Sequence, residues 1–529
     1  MTVSSNQKQS NYWKMLEITP DDLQHLTNHL FETEEPLTIT ELARVLVAKR
    51  LESIRAAEAS READAGIVYK PANSYEPGDK VRFPELDDLV GIVLETRIGI
   101  NPAMGEFHVV KVEFEDGSQR EFASELKSHE LNQKDYTIKS LADQDPQTII
   151  REHGKSITTK LRSALDNQTD LIRIGYTWFP HSLLIDLGAG YLNIAEAILD
   201  SMAGGPLTIE QLMAQLEISD ETENKNLLAF SLNYALQEDP RFDEVGSTGK
   251  FSWFLRRLEP EAVLSIPIYL QSDNARLIDE NLSDEFFNLL YDLDDEFSFT
   301  TEEINDAEKA ESVSITLTYP HWRAGSIPVT PRTNQVLPSA LESQNVKITF
   351  IDEQTQSQIS AWLVRHHNYV IGLRDWFLEK GVIPGSVLDI IATDDPGTMI
   401  ISPHRKRANK EWIKTVLVGA DGGLVFALLR QPISAGFNER MAIAIPDVAG
   451  LDEVWNTRQK QTPALQTDVM RMMSELSKLN NQRHVHFVDL YAAINVIRRT
   501  APMDLLDVLI SSDDFFHVGD DYFHISEKS

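Results

Sequence analysis

The sequence predicts an α+β multidomain chain in which helix-turn-helix units closed by glycine hairpins bracket two β-rich segments. Three observations predict it. One skeleton occurs three times: an apolar residue, two variable residues, a β-branched residue and a glycine, with aromatics three to seven residues later. It reads Leu171, Ile174, Gly175, Trp178 and Phe179; then Phe242, Val245, Gly246, Phe251 and Trp253; then Phe515, Val518, Gly519, Tyr522 and Phe523. Each copy follows a helical pattern, so each reads as helix, short strand, glycine turn and returning strand, the wing of a winged helix. The second observation is that PLTITEL at 36–42 and PLTIEQL at 206–212 open helices with one device. An N-cap threonine with an acid or amide three residues on satisfies orphan helix amides reciprocally, pairing Thr38 with Glu41 and Thr208 with Gln211. The third is that residues 75–126 and 314–401 alternate in short runs, as strands do.

Composition sets bounds. At 529 residues there is room for about three to five domains, and 42% hydrophobic content lets each bury a core. There is no run of 18 apolar residues and the first ten residues are polar, so no membrane span or signal peptide is expected and the chain reads as cytoplasmic. Zero cysteines exclude disulfides, thiolate catalysis and cysteine-zinc sites. The net charge of −33 opposes phosphate binding, yet it is unevenly placed. Residues 261–312 hold fifteen acids against Arg276 and Lys309, whereas 313–440 hold thirteen bases against eleven acids.

In chain order, residues 1–11 lack periodicity and are expected to be disordered. Residues 12–66 read as a helix-turn-helix unit, with Leu23, Leu26, Leu30, Leu42, Val45 and Leu46 at helical spacing. Arg44, Lys49, Arg50 and Arg55 gather on its second helix, as a recognition surface or a solvated face. Residues 75–130 give five short strands whose aromatics, Tyr75, Phe83, Phe107, Phe114 and Phe122, read as core. With its Gly78-Asp79-x-Val81 opening, this segment resembles the small barrels of the Tudor and KOW kind. That resemblance implies binding of nucleic acid, methylated side chains or RNA polymerase partners. Residues 140–190 and 191–260 read as two winged-helix units. The helix before the second wing offers only Lys225, Asn226 and Asn233 as base or phosphate contacts. This unit resembles the HARE helix-turn-helix family and the delta subunit of Gram-positive RNA polymerase at Pro206, Leu207, Asp239, Arg241, Phe242, Val245, Gly246 and Trp253. The resemblance implies a contact module of transcription or DNA-associated proteins.

Residues 261–312 form an acidic connecting segment with anchors at Phe286, Phe287, Leu289, Leu290 and Phe297. It reads as a solubilising linker, a nucleic-acid mimic or a docking strip for a basic partner. Residues 313–455 are β-rich. There Leu337-Pro338, Asp352, Trp362, Tyr369, Gly372, Trp376, Phe377 and Pro384-Gly385-Ser386 follow one another. That order resembles the DNA-binding pseudobarrel of plant auxin-response factors and some restriction enzymes, with Ser386 where that family has aspartate. The resemblance implies DNA-facing loops after the first and fourth strands, at His321, Arg323, Arg332, Arg365, His366, His367 and Arg374. The run HRKRANKEWIK follows, with Arg405, Lys406, Arg407, Lys410, Trp412 and Lys414. A tryptophan among cations suits phosphate contact with base or sugar stacking; otherwise the run is a solvated loop or helix start around a core tryptophan. Residues 464–529 read as the C-terminal winged-helix unit.

No phosphate-binding glycine loop, nucleophile elbow or zinc-protease motif is present. His366-His367 and His484-x-His486 lack acids at metal spacing, and Asp447 with Asp452-Glu453 lacks the lysine of a nuclease. No enzyme activity, cofactor or metal is expected. The expectation is a DNA-binding or transcription-associated protein, its pseudobarrel and basic run contacting DNA and its winged units contacting protein or DNA. The alternative is a protein-interaction scaffold, for RNA polymerase or another protein, with no nucleic-acid contact.

Overall fold

A computed structural model of the chain describes residues 12–101, 105–134, 144–216, 224–247, 250–272, 275–279, 281–340, 343–419, 422–461 and 463–526. Residues 1–11, expected to be disordered, lie outside that set. The chain is mixed α/β and divides into two compact units, Met1–Ile185 and Asp186–Ser529. Among the described residues no helix is long and apolar enough to cross a membrane.

The first unit contains α1 (Pro20–Thr33), β1 (Leu37–Thr38), α2 (Ile39–Ala65), α3 (Pro146–Leu165), β7 (Leu171–Ile174) and β8 (Thr177–Pro180). β1 pairs antiparallel with β8, Leu37 opposite Trp178, in a sheet ordered β1-β8-β7. Segments 12–66 and 140–190, expected to be separate, therefore share one sheet and one core. Trp13, Leu26, Leu30, Leu42 and Leu46 pack with Ile157, Leu161 and Trp178. An insertion separates them in sequence: β2 (Ile67–Val68), β3 (Lys80–Phe83), β4 (Leu89–Ile98), β5 (His108–Phe114) and β6 (Gln119–Ser124) form a sheet in that order. Tyr69, Tyr75, Phe83 and Phe114 fill its core with Phe122 against them, the Phe83 and Phe122 rings 4.2 Å apart.

The second unit uses the order helix, two-residue strand, two helices and hairpin twice more. One copy is α4 (Gly188–Ser201), β9 (Leu207–Thr208), α5 (Ile209–Gln215), α6 (Lys225–Glu238), β10 (Phe242–Glu244) and β11 (Ser252–Leu255), its sheet ordered β10-β11-β9. The other is α14 (Leu465–Ser477), β22 (Val485–His486), α15 (Phe487–Ile497), α16 (Pro502–Ser511), β23 (Phe515–Gly519) and β24 (Tyr522–Ile525), ordered β22-β24-β23. In all three copies the two-residue strand pairs with the returning arm of the hairpin. Trp178, Trp253 and Phe523 on those arms are buried, each placed to cost about 3–5 kcal/mol if cut to alanine. The hairpin glycines answer different needs. Gly175 takes φ +60°, whereas a Cβ on Gly246 would stand 1.8 Å from the Lys250 carbonyl oxygen.

The helix starts follow from their caps. The Thr38 N–H donates to Glu41 Oε2 at 2.8 Å and the Glu41 N–H to Thr38 Oγ1 at 3.3 Å; Thr208 and Gln211 do the same at 2.9 and 3.4 Å. In the third copy a histidine replaces threonine, and His486 Nδ1 accepts the Val488 N–H at 3.1 Å.

Between these copies lie α7 (Glu261–Leu264), α8 (Asp284–Leu293), α9 (Thr301–Asn305), β12 (Ser312–Thr316), α10 (Tyr319–Ala324), β13 (Ser326–Pro328), α11 (Pro331–Asn334), β14 (Asn345–Asp352), β15 (Gln358–Val364), β16 (Tyr369–Ile371), α12 (Arg374–Lys380), β17 (Val387–Ala392) and β18 (Thr398–Pro403). The strands curl into a half-barrel ordered β12-β17-β18-β14-β15-β16-β13, with β14 and β18 parallel. Asp352 closes the turn after β14. Its Oδ1 accepts the Thr355 N–H at 2.6 Å and its Oδ2 the Trp376 Nε1–H at 2.6 Å and Lys380 Nζ at 3.0 Å. Burial would raise this carboxyl, but those hydrogen bonds prevail and hold it far below the usual range.

The acidic segment is no loose linker. Its Leu290, Phe299 and Ile304 share one core with Ile348 and Ile390 of the half-barrel and with Leu490, Tyr491 and Phe523 of the C-terminal copy. The chain then runs through β19 (Arg405–Val418), β20 (Leu424–Ala435), β21 (Ile443–Ala444) and α13 (Val448–Gln461), with a sheet ordered β20-β19-β21.

Candidate nucleic-acid interface

The half-barrel loops carry the expected cations, and the fold uses those cations internally. Arg323 on α10 donates to both oxygens of Asp452 on α13, Nε to Oδ1 at 2.8 Å and Nη2 to Oδ2 at 2.5 Å, with its guanidinium 4.9 Å from the Tyr269 ring centroid. Burial alone would raise Asp452, and the hydrogen bonds from Arg323 and Tyr269 outweigh it, so the carboxyl is lowered. Arg374 donates to the carbonyls of Trp322 and Arg323 at 3.1 and 3.0 Å, and Arg365 to that of Ala340 at 2.9 Å. Arg332 stands 3.6 Å from Asp294. His366 and His367 pack with ring centroids 3.8 Å apart, and burial lowers both imidazole pKa values.

Two of the acids that meet these loops, Asp294 and Glu296, come from the acidic segment. His321 is buried, with Nε2 3.1 Å from Glu296 Oε1 and Nδ1 2.8 Å from Ser326 Oγ. Arg499 is buried as well, its Nη2 2.6 Å from Asp295 Oδ2 and 2.8 Å from Glu296 Oε1, and its guanidinium 4.7 Å from the Phe297 centroid. The Tyr491 hydroxyl completes this junction by donating to Asp295. Burial would raise Glu296; Arg499 and His321 together hold it low. Glu296 thus works as an internal counter-ion, while burial raises the neighbouring Asp295 carboxyl.

The basic run behaves differently. It is strand β19, not the solvated loop or helix start of the alternative reading, because from Asn409 to Val418 it pairs with the apolar strand β20. Lys414 is not a surface cation. Its buried ammonium donates to Asp489 and to the Arg440 carbonyl, and burial lowers its pKa. Asp489 holds the sequence position that Glu41 and Gln211 hold in the other copies, where each closes a capping box. Arg405 is exposed, 3.1 Å from Glu353. Lys406 stands 3.3 Å from Glu411 and 4.0 Å from the Phe437 centroid. The Arg407 side chain lies outside the described residues.

That leaves Lys410 and Trp412, both exposed, the tryptophan at 66%. In the antiparallel register Trp412 faces Arg430, Lys410 faces Pro432 and Lys414 faces Leu428, so these side chains share one face of the ribbon. The Arg430 guanidinium is 6.0 Å from the Trp412 centroid, and its Nη2 lies 3.5 Å from the Lys410 carbonyl oxygen. Sequence reasoning missed Arg430. Residue 430 lies across from 412 only once the two runs are known to pair as strands, so the register supplies it. A flat ring on a paired strand, flanked by two cations, can stack on a planar group while neutralising nearby phosphate.

Of the other candidates, Lys225 and Asn226 on α6 are exposed, Arg241 is half-buried and Asn233 is buried. Asn233, a possible base contact, is buried and accepts the Trp253 Nε1–H at 2.8 Å. Arg241 is clamped by Asp239 at 2.6 Å and Glu196 at 2.7 Å. Among the described residues no group of three His, Asp or Glu is placed to hold a metal ion. Compared with known proteins, the chain matches no family model, no curated protein and no solved structure.

Proposed function

We propose that the chain is a non-catalytic, nucleic-acid-associated protein that contacts its ligand through the β19–β20 ribbon. The three repeated units are read as winged-helix modules serving as scaffold and protein contacts, and the half-barrel as a DNA-binding-type pseudobarrel whose own loops are internally neutralised. The observation that carries the proposal is Trp412, 66% exposed on a paired strand between Lys410 and Arg430. The modular reading is supported by the helix, short strand, two helices and hairpin order with the short strand against the returning arm. The half-barrel reading is supported by the strand order and by the Asp352 turn that anchors Trp376.

The test is binding of the full chain to DNA across a salt series. The full chain is required because the half-barrel shares its core with residues 290–304 and 469–523. Binding is expected to weaken linearly in log salt, with a slope of about −0.9 per duplex phosphate engaged. Lys410→Ala with Arg430→Ala is expected to reduce that slope by about two contacts. No binding at low salt would end this reading.

A second reading has its own support. Leu417, Val425, Leu428 and Leu429 are all 38% or more exposed on the same ribbon, in a chain of net charge −33. A protein partner, RNA polymerase or another, would cover such apolar side chains, and the chain would then be a scaffold with no nucleic-acid contact.

A further inference from the structure

We infer that the ribbon takes an unpaired nucleic-acid strand, with one base stacked on Trp412 and the flanking phosphates met by Lys410 and Arg430. This inference rests on the nucleic-acid reading above and narrows it to one class of ligand.

The argument begins with what each ligand offers. In a duplex both faces of every internal base are covered by its neighbours, so a protruding indole finds a ring only by unstacking one. An unpaired strand exposes those faces, and stacking on an aromatic side chain tolerates any base. A two-stranded ribbon can also enter the major groove of a duplex, and there it reads base edges with polar, bidentate side chains. The exposed face of this ribbon has only Lys410 and Arg430 for that task, and both flank the indole. It presents Trp412, Leu428 and Pro432 as a flat apolar strip, with Lys410 and Arg430 beside the ring. Against a groove edge the apolar members could touch only thymine methyl groups.

The ring is also well supported. Trp412 lies within β19, with Arg430 paired across from it, so little backbone freedom remains to be lost on binding. Same-face neighbours along a strand are about 6.8 Å apart, which spreads Pro432, Arg430 and Leu428 into a track for an extended chain. Among the described residues neither Lys410 nor Arg430 is held in an ion pair, unlike Arg323, Arg332 and Arg499. The alternative duplex reader, helix α6, has Asn233 turned into the core and keeps only Lys225 and Asn226 exposed, both at its first turn.

The experiment is fluorescence anisotropy of the full chain with a short oligothymidine and with a duplex of the same length, in parallel at low salt. The single strand is expected to bind at least about tenfold more tightly than the duplex. Trp412→Ala is expected to weaken single-strand binding by about five- to hundredfold, Trp412→Phe much less, with duplex binding changed less than about twofold. Because the side chain is exposed, thermal unfolding of both variants should match that of the parent. Equal or tighter duplex binding, or an equal loss for both ligands in Trp412→Ala, would overturn the inference while leaving nucleic-acid binding in place. Failure to bind either ligand would overturn the nucleic-acid reading itself, and the inference with it.

Discussion

The junction around Arg499 and the ribbon around Trp412 are made of similar residues, arginine beside an aromatic ring, and they do opposite things. At the junction Arg499 sits against Phe297 and two buried carboxylates, with no exposure at all. On the ribbon Arg430 sits beside Trp412 in solvent. Desolvation separates them. A buried guanidinium must be matched by acids or the fold fails, whereas an exposed one keeps its hydration and its charge for a ligand. Counting cations along the sequence therefore says little about which of them can be used.

The comparison can be broken most forcefully at the junction. Arg499→Leu strands Asp295 and Glu296 in the core, and a loss of about 3–5 kcal/mol is expected in urea unfolding. A loss below about 1 kcal/mol would mean that the carboxylates find other relief and that the junction is no tighter than a surface pair. A pH series sharpens the same point at another buried acid. Glu259 is buried, and burial first, then a hydrogen bond and like charge from Asp243, push its carboxyl from 4.5 up to about 8 against the opposing charge of Arg256. Its folded pKa lies above the unfolded one, so its stabilising contribution is full below about pH 4.5 and is lost as pH rises towards 8. Glu244, raised to about 6 by burial first, adds to the lower part of that slope. Glu259→Gln is expected to flatten the decline and to be about 1–2 kcal/mol more stable than the parent at pH 8. An unchanged slope in the unfolding midpoints would remove Glu259 from the account. The smallest effect is expected on the ribbon. Lys410→Ala with Arg430→Ala should shift unfolding by no more than about 0.5 kcal/mol, and a larger shift would show that these cations serve the fold after all.

The parts of this architecture that sequence made legible are local. The three hairpin skeletons and the Thr38 and Thr208 caps each sit within a dozen residues, where propensity and hydrogen-bond chemistry act directly. Pairing across the insertion was not legible, since nothing within residues 12–66 indicates that Leu37 will meet Trp178. The third cap was hidden because His486 accepts the helix amide in place of a hydroxyl. At the candidate site, Trp412 and its cations were visible as a run, but the strand depended on β20 and only the register revealed Arg430. Lys414, two residues beyond Trp412 on the same face, went the other way because Asp489 lies beneath it.

The five-stranded sheet set between α2 and α3 also has a consequence for the order in which the chain assembles. The partners Leu37 and Trp178 are about 140 positions apart, so at about 5–20 residues per second the first sheet waits on the order of ten seconds for its last strand to be synthesised. The strands of the inserted sheet, ending at Ser124, are all made within that interval. Asn132 then ties the end of the insertion to its beginning, its Oδ1 accepting the Ala72 N–H at 2.9 Å. Once that clasp forms, the 60 positions between Ala72 and Asn132 no longer count as open loop, so part of the entropy of closing the first repeat has already been lost in folding the inserted sheet. The inserted sheet thereby shortens the connection between the two halves of its host repeat.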